Sequence, residues 1–220
     1  MTSLNTFIDH TLLKASATPE DILKLCSEAQ LYNFHAVCVN SCYVHLASNL
    51  LKESDVKVAA TVGFPLGAVS KKGKVSEAKR CVKEGADEID MVMNLGFFKG
   101  DLQKSVREEI SAVKKAIDDA VLKVIIETCE LSPSEIKMAC SIVIKAGADF
   151  VKTSTGFGTG GAALEDVRLI KEYVGEEIMI KASGGIRSAP SAMQFIEAGV
   201  HRIGTSSGVS MMESLKKTPQ

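Results

Sequence analysis

Two lysines and one aspartate interrupt apolar runs that are otherwise typical of buried strands, and they are Lys152, Lys181 and Asp90. A charge carried into a protein interior must be paired, hydrogen-bonded or neutralised. A structural ion pair between Asp90 and one lysine is the simplest interpretation. Such a pair leaves one cation over, and this excess has a chemical use.

A lysine is a poor nucleophile at its reference pKa of about 10.4. A second ammonium group nearby, together with partial desolvation, favours the neutral amine. A neutral amine can attack a carbonyl carbon and form a Schiff base. A nearby carboxylate, acting directly or through water, can move the protons that dehydration and enamine formation require. These residue types therefore predict amine–carbonyl chemistry.

Glycine-rich segments follow three of the predicted strands. Ser183-Gly-Gly-Ile-Arg187 comes after the strand of Lys181, and Gly204-Thr-Ser-Ser-Gly208 closes the last strand. Glycines let backbone N–H groups approach an anion, and a helix start adds the positive end of its dipole. Arg187 can add charge-assisted hydrogen bonds. With a third such segment at residues 153–161, after Lys152, these loops predict a phosphate pocket.

Strand-like and helix-like segments alternate along the whole chain. We expect eight strands, at Ile8–Leu12, His35–Asn40, Val56–Val62, Glu88–Asn94, Leu122–Thr128, Asp149–Ser154, Ile178–Ser183 and Arg202–Ser206. Helices fall in the gaps, and a last helix lies near Gly208–Leu215. This order predicts an α/β fold, a single (β/α)8 TIM barrel over residues 1–220. The alternative is an open doubly wound sheet.

Helix boundaries are marked by polar caps and by glycines. The predicted N-caps are Thr18, Asp101, Ser132 and Ser188, and the predicted C-terminal glycines are Gly85, Gly147 and Gly199. Side chains alternate across a strand, so the uniformly apolar faces should pack on the outer helices. Asp90, Lys152 and Lys181 then point into the barrel. Both lysines lie near the carboxyl ends of their strands, where barrel enzymes assemble their sites.

Composition excludes several classes of protein. The 220 residues include 26 Lys and Arg against 27 Asp and Glu, and this balance argues against a nucleic-acid partner. No apolar run reaches the ~18 residues of a membrane helix, and Met1-Thr-Ser-Leu4 does not resemble a signal peptide. The six cysteines and four histidines lack metal-ligand spacing. We expect a cytoplasmic protein with reduced thiols, no membrane partner, no metal and no cofactor.

Taken together, the motifs resemble those of the deoxyribose-phosphate aldolases, a family of class I (Schiff-base) aldolases. The matching segments are Phe7-Ile-Asp-His-Thr-Leu-Leu13, Gly63-Phe-Pro-Leu-Gly67, Glu88-Ile-Asp-Met-Val-Met-Asn94, Val124-Ile-Ile-Glu-Thr128, Asp149-Phe-Val-Lys-Thr-Ser-Thr-Gly-Phe-Gly158, Lys181-Ala-Ser-Gly-Gly-Ile-Arg187 and Arg202-Ile-Gly-Thr-Ser-Ser-Gly208. The resemblance implies reversible cleavage of 2-deoxy-D-ribose 5-phosphate to acetaldehyde and D-glyceraldehyde 3-phosphate. It also implies a role in deoxyribose phosphate catabolism. It assigns the Schiff base to Lys152, its electrostatic tuning to Lys181 and a proton relay to Asp90.

The substrate-binding residues expected from the loops and the resemblance are Asp9, Thr11, Cys38, Thr155, Gly184, Gly185, Arg187, Gly204, Ser206 and Ser207. Asp9 is equally explained as a structural partner of Lys181, and Cys38 as a packing residue. Glu127 and Asn94 are expected only to satisfy polar neighbours. A phosphosugar is the expected partner, and a homodimer is a possible assembly.

The chain departs from the family pattern at two places. Some members carry a phosphate-binding lysine where this chain has Phe157, and some end in a tyrosine that the tail Lys216-Lys-Thr-Pro-Gln220 lacks. Two other functions stay open: another lysine aldolase or transaldolase, and a barrel that binds sugar phosphates without catalysis. A panel of aldehyde donors would identify another lysine aldolase or transaldolase. Ligand binding without turnover would identify a non-catalytic barrel.

Overall fold

Eight parallel strands form the centre of the molecule, whose computed structural model describes residues 4–216. The strands are β1 (Ile8–Leu12), β2 (Ala36–Asn40), β3 (Lys57–Val62), β4 (Glu88–Val92), β5 (Val121–Ile125), β6 (Phe150–Lys152), β7 (Met179–Ser183) and β8 (Arg202–Thr205). They pair in chain order, and β1 also pairs with β8, where His10 lies opposite Thr205. The sheet is therefore closed, which confirms the barrel and excludes the open sheet.

Helices follow the strands around the outside of the barrel. They are α1 (Pro19–Tyr32), α2 (Val44–Leu51), α3 (Lys71–Lys83), α4 (Leu95–Lys99), α5 (Gln103–Ala116), α6 (Pro133–Lys145), α7 (Leu164–Val174), α8 (Ala189–Glu197) and α9 (Gly208–Lys216). Short 3-10 helices cover Leu4–Phe7, Ser41–Tyr43 and Thr128–Glu130. The extra short helix α4 precedes α5 in one strand-to-strand connection. Within residues 4–216 no helix is long and apolar enough to cross a membrane.

Polar caps explain most of the helix starts. Thr18 accepts a hydrogen bond from the Asp21 N–H, and the Asp21 carboxylate accepts one from the Thr18 N–H. Ser132 and Glu135 form the same capping box at α6, and Ser188 caps α8. These caps satisfy N–H groups that have no partner within the helix.

The expectation that Asp101 caps a helix is wrong. Leu102 holds the N-cap position of α5 and makes no side-chain cap hydrogen bond. Asp101 itself has a φ of +59°, and its carboxylate accepts a hydrogen bond from Gln103 Nε2 at 3.2 Å. The residue therefore forms a left-handed turn ahead of the helix, a conformation that aspartate tolerates better than most residues.

Three neighbouring strands end earlier than their sequences predict: β4, β5 and β6, the last of which stops at Lys152 and not at Ser154. A local polar feature accounts for the first two. The sequence predicts that β4 reaches Asn94, but Asn94 Oδ1 accepts the Phe97 N–H at 2.9 Å and starts α4. The sequence also predicts that β5 reaches Thr128, but Glu127 has a left-handed φ of +55° and turns the chain. In both places a local polar feature overrides an apolar run that would otherwise continue as a strand.

The two faces of the barrel strands have opposite character. The outward-facing residues are apolar and belong to the main core with the helices; they include Ile89, Met91, Val151, Ile180 and Ala182. Inside the barrel, a small apolar cluster contains Leu13, Cys38 and Ala59. The fully buried charged residues Asp9, Asp90, Lys123 and Lys181 are also placed there. The sheet therefore separates an apolar layer from a charged interior.

Candidate active site

Six buried side chains of alternating charge form a closed ring inside the barrel. We call this the charged ring, and its members are Asp9 on β1, Glu88 and Asp90 on β4, Lys123 on β5, Lys181 on β7 and Arg202 on β8. Every member contacts two opposite charges. The ring therefore contains three acids and three cations.

The upper half of the ring centres on Asp90, whose carboxylate accepts hydrogen bonds from Lys123 and Lys181, each at 2.7 Å. The ammonium group of Lys123 also lies 2.6 Å from the Glu88 carboxylate. Asp9 accepts a hydrogen bond from Lys181 on the other side.

Arg202 closes the ring at its lower end. Its two terminal nitrogens donate to the two Glu88 oxygens at 3.1 and 2.9 Å. Its Nε donates to Asp9 Oδ1 at 2.7 Å. The planar fork of a guanidinium group suits this bridging position, because it offers several donors in fixed directions.

Lys152 on β6 is attached to the ring without being part of it. Its ammonium nitrogen lies 2.7 Å from Asp90 Oδ2, the same oxygen that accepts from Lys181 at 2.7 Å. The two lysines are therefore close neighbours, as the sequence predicts. Since the six ring charges cancel, Lys152 is the one cation in excess among the seven groups.

The ring favours the charged forms of five of its members, namely Asp9, Glu88, Asp90, Lys181 and Arg202. Burial opposes the charge on Asp90, but Lys123, Lys152 and Lys181 outweigh burial and hold the pKa of Asp90 well below its usual value. Burial also opposes the charge on Lys181, but Asp9 and Asp90 raise the pKa of Lys181 above the ordinary lysine value. The same balance lowers the pKa of Asp9 and of Glu88 and raises that of Arg202.

A cavity of about 250 Å³ lies at the carboxyl ends of the strands, directly above the ring. Its walls come from the loops after β1, β6, β7 and β8, and they contain Thr11, Leu12, Leu13, Lys14, Lys152, Thr155, Gly156, Phe157, Ser183, Gly184, Gly185, Ile186, Arg187, Gly204, Thr205 and Ser206. No acidic residue is among these, whereas Lys14, Lys152 and Arg187 are cationic. The cavity therefore suits an anionic ligand with an electrophilic carbon near Lys152.

Eight of the predicted site residues line this cavity, namely Lys152, Thr11, Thr155, Gly184, Gly185, Arg187, Gly204 and Ser206. Asp90, Lys181 and Asp9 lie below it, in the ring. Asp9 contacts Lys181 and Arg202, which supports its interpretation as a structural partner. Ser207 lines a neighbouring pocket of about 480 Å³.

Cys38 also lies beneath the cavity, fully buried with its sulfur 3.8 Å from Asp90 Oδ2. Burial raises the pKa of the Cys38 thiol, and the Asp90 charge adds to this effect. The thiol therefore stays protonated and packs beside Leu13 and Ala59. This placement supports its interpretation as a packing residue.

Glycines give the cavity its shape where two loops approach closely. Gly184 has a φ of +86°, and a Cβ there would lie 3.0 Å from the Gly161 Cα. A Cβ on Gly204 would lie 2.9 Å from the Ser183 Cβ and 3.2 Å from the Lys181 Cε. A side chain at Gly204 would therefore press on the lysine of the ring as well as on the loop.

Glu127 holds the loop that follows Lys152. Its carboxylate accepts the Thr155 N–H at 3.0 Å and the Thr155 hydroxyl at 2.5 Å. The Thr155 hydroxyl oxygen in turn accepts the Phe157 N–H at 3.0 Å. Phe157 packs edge-to-face against Phe64, with ring centroids 5.2 Å apart. Glu127 thus satisfies polar neighbours, as expected. Position 157, where some members of the resembling family carry a lysine, holds the aromatic ring of Phe157.

Sequence reasoning missed four residues of this arrangement: Lys14, Glu88, Lys123 and Arg202. Lys123 and Arg202 interrupt apolar strands in the same way as Lys152, so their signal was present. Lys14 follows β1 closely and lines the cavity beside Arg187. The tail from 217 to 220, where a terminal tyrosine would be expected, and residues 1–3 lie outside the described residues.

Comparison with known proteins gives consistent results across the chain. Residues 4–212 match the DeoC/LacD family aldolase description. The deoxyribose-phosphate aldolase of Coprothermobacter proteolyticus is 56% identical over 212 residues, which cover 96% of this chain and 97% of that protein. The solved structure of QR15, an aldolase, has a TM-score of 0.95 at 44% identity and covers 99% of this chain and 97% of that one. The tetrameric deoxyribose phosphate aldolase from Aeropyrum pernix has a TM-score of 0.91 at 35% identity, with coverage of 97% and 91%.

Proposed function

The chain belongs to the DeoC/LacD family of aldolases, and we propose that it cleaves 2-deoxy-D-ribose 5-phosphate reversibly to acetaldehyde and D-glyceraldehyde 3-phosphate. We assign the Schiff base to Lys152. One observation carries this assignment: among the lysines and arginines of residues 4–216 that contact Asp90, only Lys152 also lines the cavity. Within that set, it alone combines a position in the cavity wall with contact to the ring.

The charge balance favours Lys152 as the nucleophile. Lys181 has two carboxylate partners and a raised pKa, so it stays protonated at neutral pH. Lys152 has Asp90 as its ion-pair partner and shares the acceptor oxygen with Lys181. Loss of its proton leaves a neutral ring with no unpaired charge.

Schiff-base formation begins when the neutral Lys152 amine attacks C1 of the open-chain sugar. The carbonyl oxygen takes up a proton, and the carbinolamine then loses water to give an iminium ion on Lys152. We propose that Asp90 and a water molecule carry these protons. Because the pKa of Asp90 is held low, the carboxyl carries a proton only transiently.

Carbon–carbon cleavage follows from the iminium ion. Removal of the proton on the C3 hydroxyl breaks the C2–C3 bond, and its electron pair forms the enamine on Lys152. C3 becomes the aldehyde carbon of glyceraldehyde 3-phosphate. Protonation of C2 and addition of water release acetaldehyde and return the amine. The positive nitrogen acts as the electron sink, which is the purpose of the covalent intermediate.

The phosphate group fits the other end of the cavity. Arg187 and Lys14 supply two cations, and the Gly184–Gly185 loop with the start of α9 supplies backbone N–H groups.

We propose that Lys14 provides charge that a lysine at the position of Phe157 would otherwise add. Lys14→Gln should raise KM for the phosphorylated sugar about tenfold while leaving unphosphorylated deoxyribose nearly unchanged. Lys24→Gln, on the exposed side of α1, is the matched control, and equal effects of the two variants would contradict this role.

Reductive trapping tests the proposed function. Incubation with acetaldehyde and borohydride should place an ethyl group on Lys152, located by peptide mass mapping. Labelling of Lys181 instead would overturn the assignment. A barrel that binds sugar phosphates without catalysis would bind the substrate and give no acetaldehyde-dependent label. A substrate panel that preferred a ketose or longer donor would favour a different lysine aldolase.

We also propose a cytoplasmic location and a homodimeric assembly. The related aldolase from Aeropyrum pernix is a tetramer, so light scattering has to distinguish two subunits from four. A mass of one or of four subunits would contradict the dimer.

A further inference from the structure

We infer that Glu88 and Arg202, at the closed lower end of the charged ring, are positioning residues that set the charge state of Lys152 without contacting the substrate. The inference rests on the proposed function, because it assumes that Lys152 is the nucleophile. Neither residue lines the cavity. Their influence must therefore pass through the ring.

The two residues are remote from the reacting amine. Glu88 lies two residues before Asp90 on β4, which places it about 7 Å deeper in the barrel. Arg202 opens β8 at a comparable depth, since it pairs with Glu88 across the barrel. Both are about 95% buried. At this depth a charge has little water to screen it, so its influence extends over a longer distance than at the surface.

The sign of that influence follows from the charge count. The ring is neutral with all six groups present, and Lys152 is the additional cation. Removing the Glu88 charge leaves a net positive ring, which disfavours a proton on Lys152. Removing the Arg202 charge leaves a net negative ring, which favours that proton. The two substitutions must therefore act in opposite directions, and removing both charges must cancel the effect.

Other charged and titratable groups surround Lys152 and stay in place in these variants. They are Asp90 on β4, Lys123 on β5, Lys181 on β7, Asp9 on β1, Cys38 on β2 and the cavity cations Lys14 and Arg187. Glu127 lies above the ring and is bonded to Thr155. His35 lies 3.6 Å from Glu88 on the far side. Because each single substitution changes one charge only, the surrounding groups provide a constant background.

A purely structural role for the pair makes a different prediction. If Glu88 and Arg202 only held the barrel together, either substitution would lower stability and leave the pH dependence of Lys152 chemistry unchanged. If an acid of the ring took up a proton whenever Arg202 was replaced, the ring would become neutral again. The pH profile of Lys152 chemistry in the Arg202 variant would then also stay unshifted. A pH profile distinguishes these cases from remote electrostatic control.

The experiment measures the initial rate of acetaldehyde-dependent reductive labelling of Lys152 against pH, with cyanoborohydride as the reductant. Glu88→Gln should move the acid limb of the profile to lower pH by about one unit, and Arg202→Met should move it to higher pH by a similar amount. The double variant Glu88→Gln/Arg202→Met should return towards the original profile. Arg202→Lys, which keeps the charge, should stay close to it.

Lys74 and Glu109 provide the matched control, because they form another buried ion pair, 2.7 Å apart, outside the barrel interior. Glu109→Gln should lower stability without moving the profile. If Arg202→Met does not fold, Glu88→Gln and the double variant still carry the test. Shifts in the same direction, or an unmoved Glu88→Gln profile, would overturn the inference. Absence of Lys152 labelling in the unaltered protein would instead overturn the proposed function itself.

Discussion

The charged ring inside the barrel and the Lys74–Glu109 pair between α3 and α5 are both buried, yet their charges behave in opposite ways. In the pair, burial lowers the pKa of Lys74 and raises that of Glu109, so desolvation outweighs the single counter-charge. In the ring, the pKa of Asp90 is lowered and that of Lys181 is raised. In the ring, the opposite charges of the neighbouring members outweigh the effect of desolvation on each pKa.

The number of opposite charges around each group explains the difference. Each ring member contacts at least two opposite charges. Lys74 contacts one, on Glu109, together with the Val92 carbonyl oxygen, which is a dipole and not a charge. A buried ion pair repays desolvation only when its geometry is good and its remaining donors and acceptors are satisfied. A closed ring meets that condition for all its members. Lys152 contacts the ring only through Asp90, so it does not meet the condition to the same extent.

The largest expected effect comes from Lys152→Met. Activity should fall about 10⁴-fold or more, because the covalent intermediate can no longer form. The free energy of unfolding should not decrease, because the ring remains neutral and complete without this cation. Steady-state kinetics and thermal unfolding check both parts. A large loss of stability in Lys152→Met would mean that Lys152 belongs to the structural network.

Breaking the isolated pair should have the opposite outcome. Lys74→Met should lower the free energy of unfolding by about 3 kcal/mol, because it leaves a buried carboxylate without its counter-charge. Activity of the folded fraction should stay near the original value, as measured by kinetics below the melting temperature. Lys74→Met/Glu109→Leu should recover much of the loss, since an apolar pair often replaces a buried ion pair without cost.

The pH dependence of the Lys74→Met effect sharpens this comparison. When folding raises the pKa of a carboxyl group, the protonated group stabilises the folded protein at pH values below the pKa that the group has in the unfolded chain. This stabilisation is lost as the pH rises through the pKa that the group has in the folded protein. Glu109 is such a group already with Lys74 present. The destabilisation should therefore be larger at neutral than at acidic pH in denaturant titrations. A loss independent of pH would contradict the role of Glu109 ionisation.

Opening the ring at Lys181 should have an intermediate effect on catalysis. Lys181→Leu removes one cation beside Lys152 and should move the acid limb of the kcat/KM profile to higher pH by about one unit. Activity at neutral pH should fall about tenfold or more. Lys181→Arg keeps the charge and serves as the control. An unmoved profile in Lys181→Leu would remove Lys181 from its tuning role.

The sequence predicts the barrel and the central trio because those features are local. Strand periodicity, the Thr18 and Ser132 caps and the inward faces of Asp90, Lys152 and Lys181 are all read from neighbouring residues. The sequence also predicts an excess of one cation, although that prediction includes only Asp90, Lys152 and Lys181 and not the other four charged groups of the site. Early strand ends at Asn94 and Glu127 escaped prediction, because polar side chains there turn the chain within an apolar run.

The remaining ring contacts could not be read from local patterns. Arg202 meets Glu88 from 114 positions away and Asp9 from 193 positions away. Such contacts depend on which strands close the barrel and on their register. Lys14 was missed for a similar reason, because only the folded loops show that it shares a cavity with Arg187.

Lys152 is the excess cation on an otherwise neutral ring, and an NMR titration of the protein carrying ¹³C at lysine Cε measures when this cation loses its proton. Spectra of Lys152→Met and Lys181→Leu assign the two resonances. As pH rises, the Lys152 resonance should report loss of its proton well before the Lys181 resonance does. If Lys181 lost its proton first, or both lysines titrated together, Lys152 would not be the excess cation of this site.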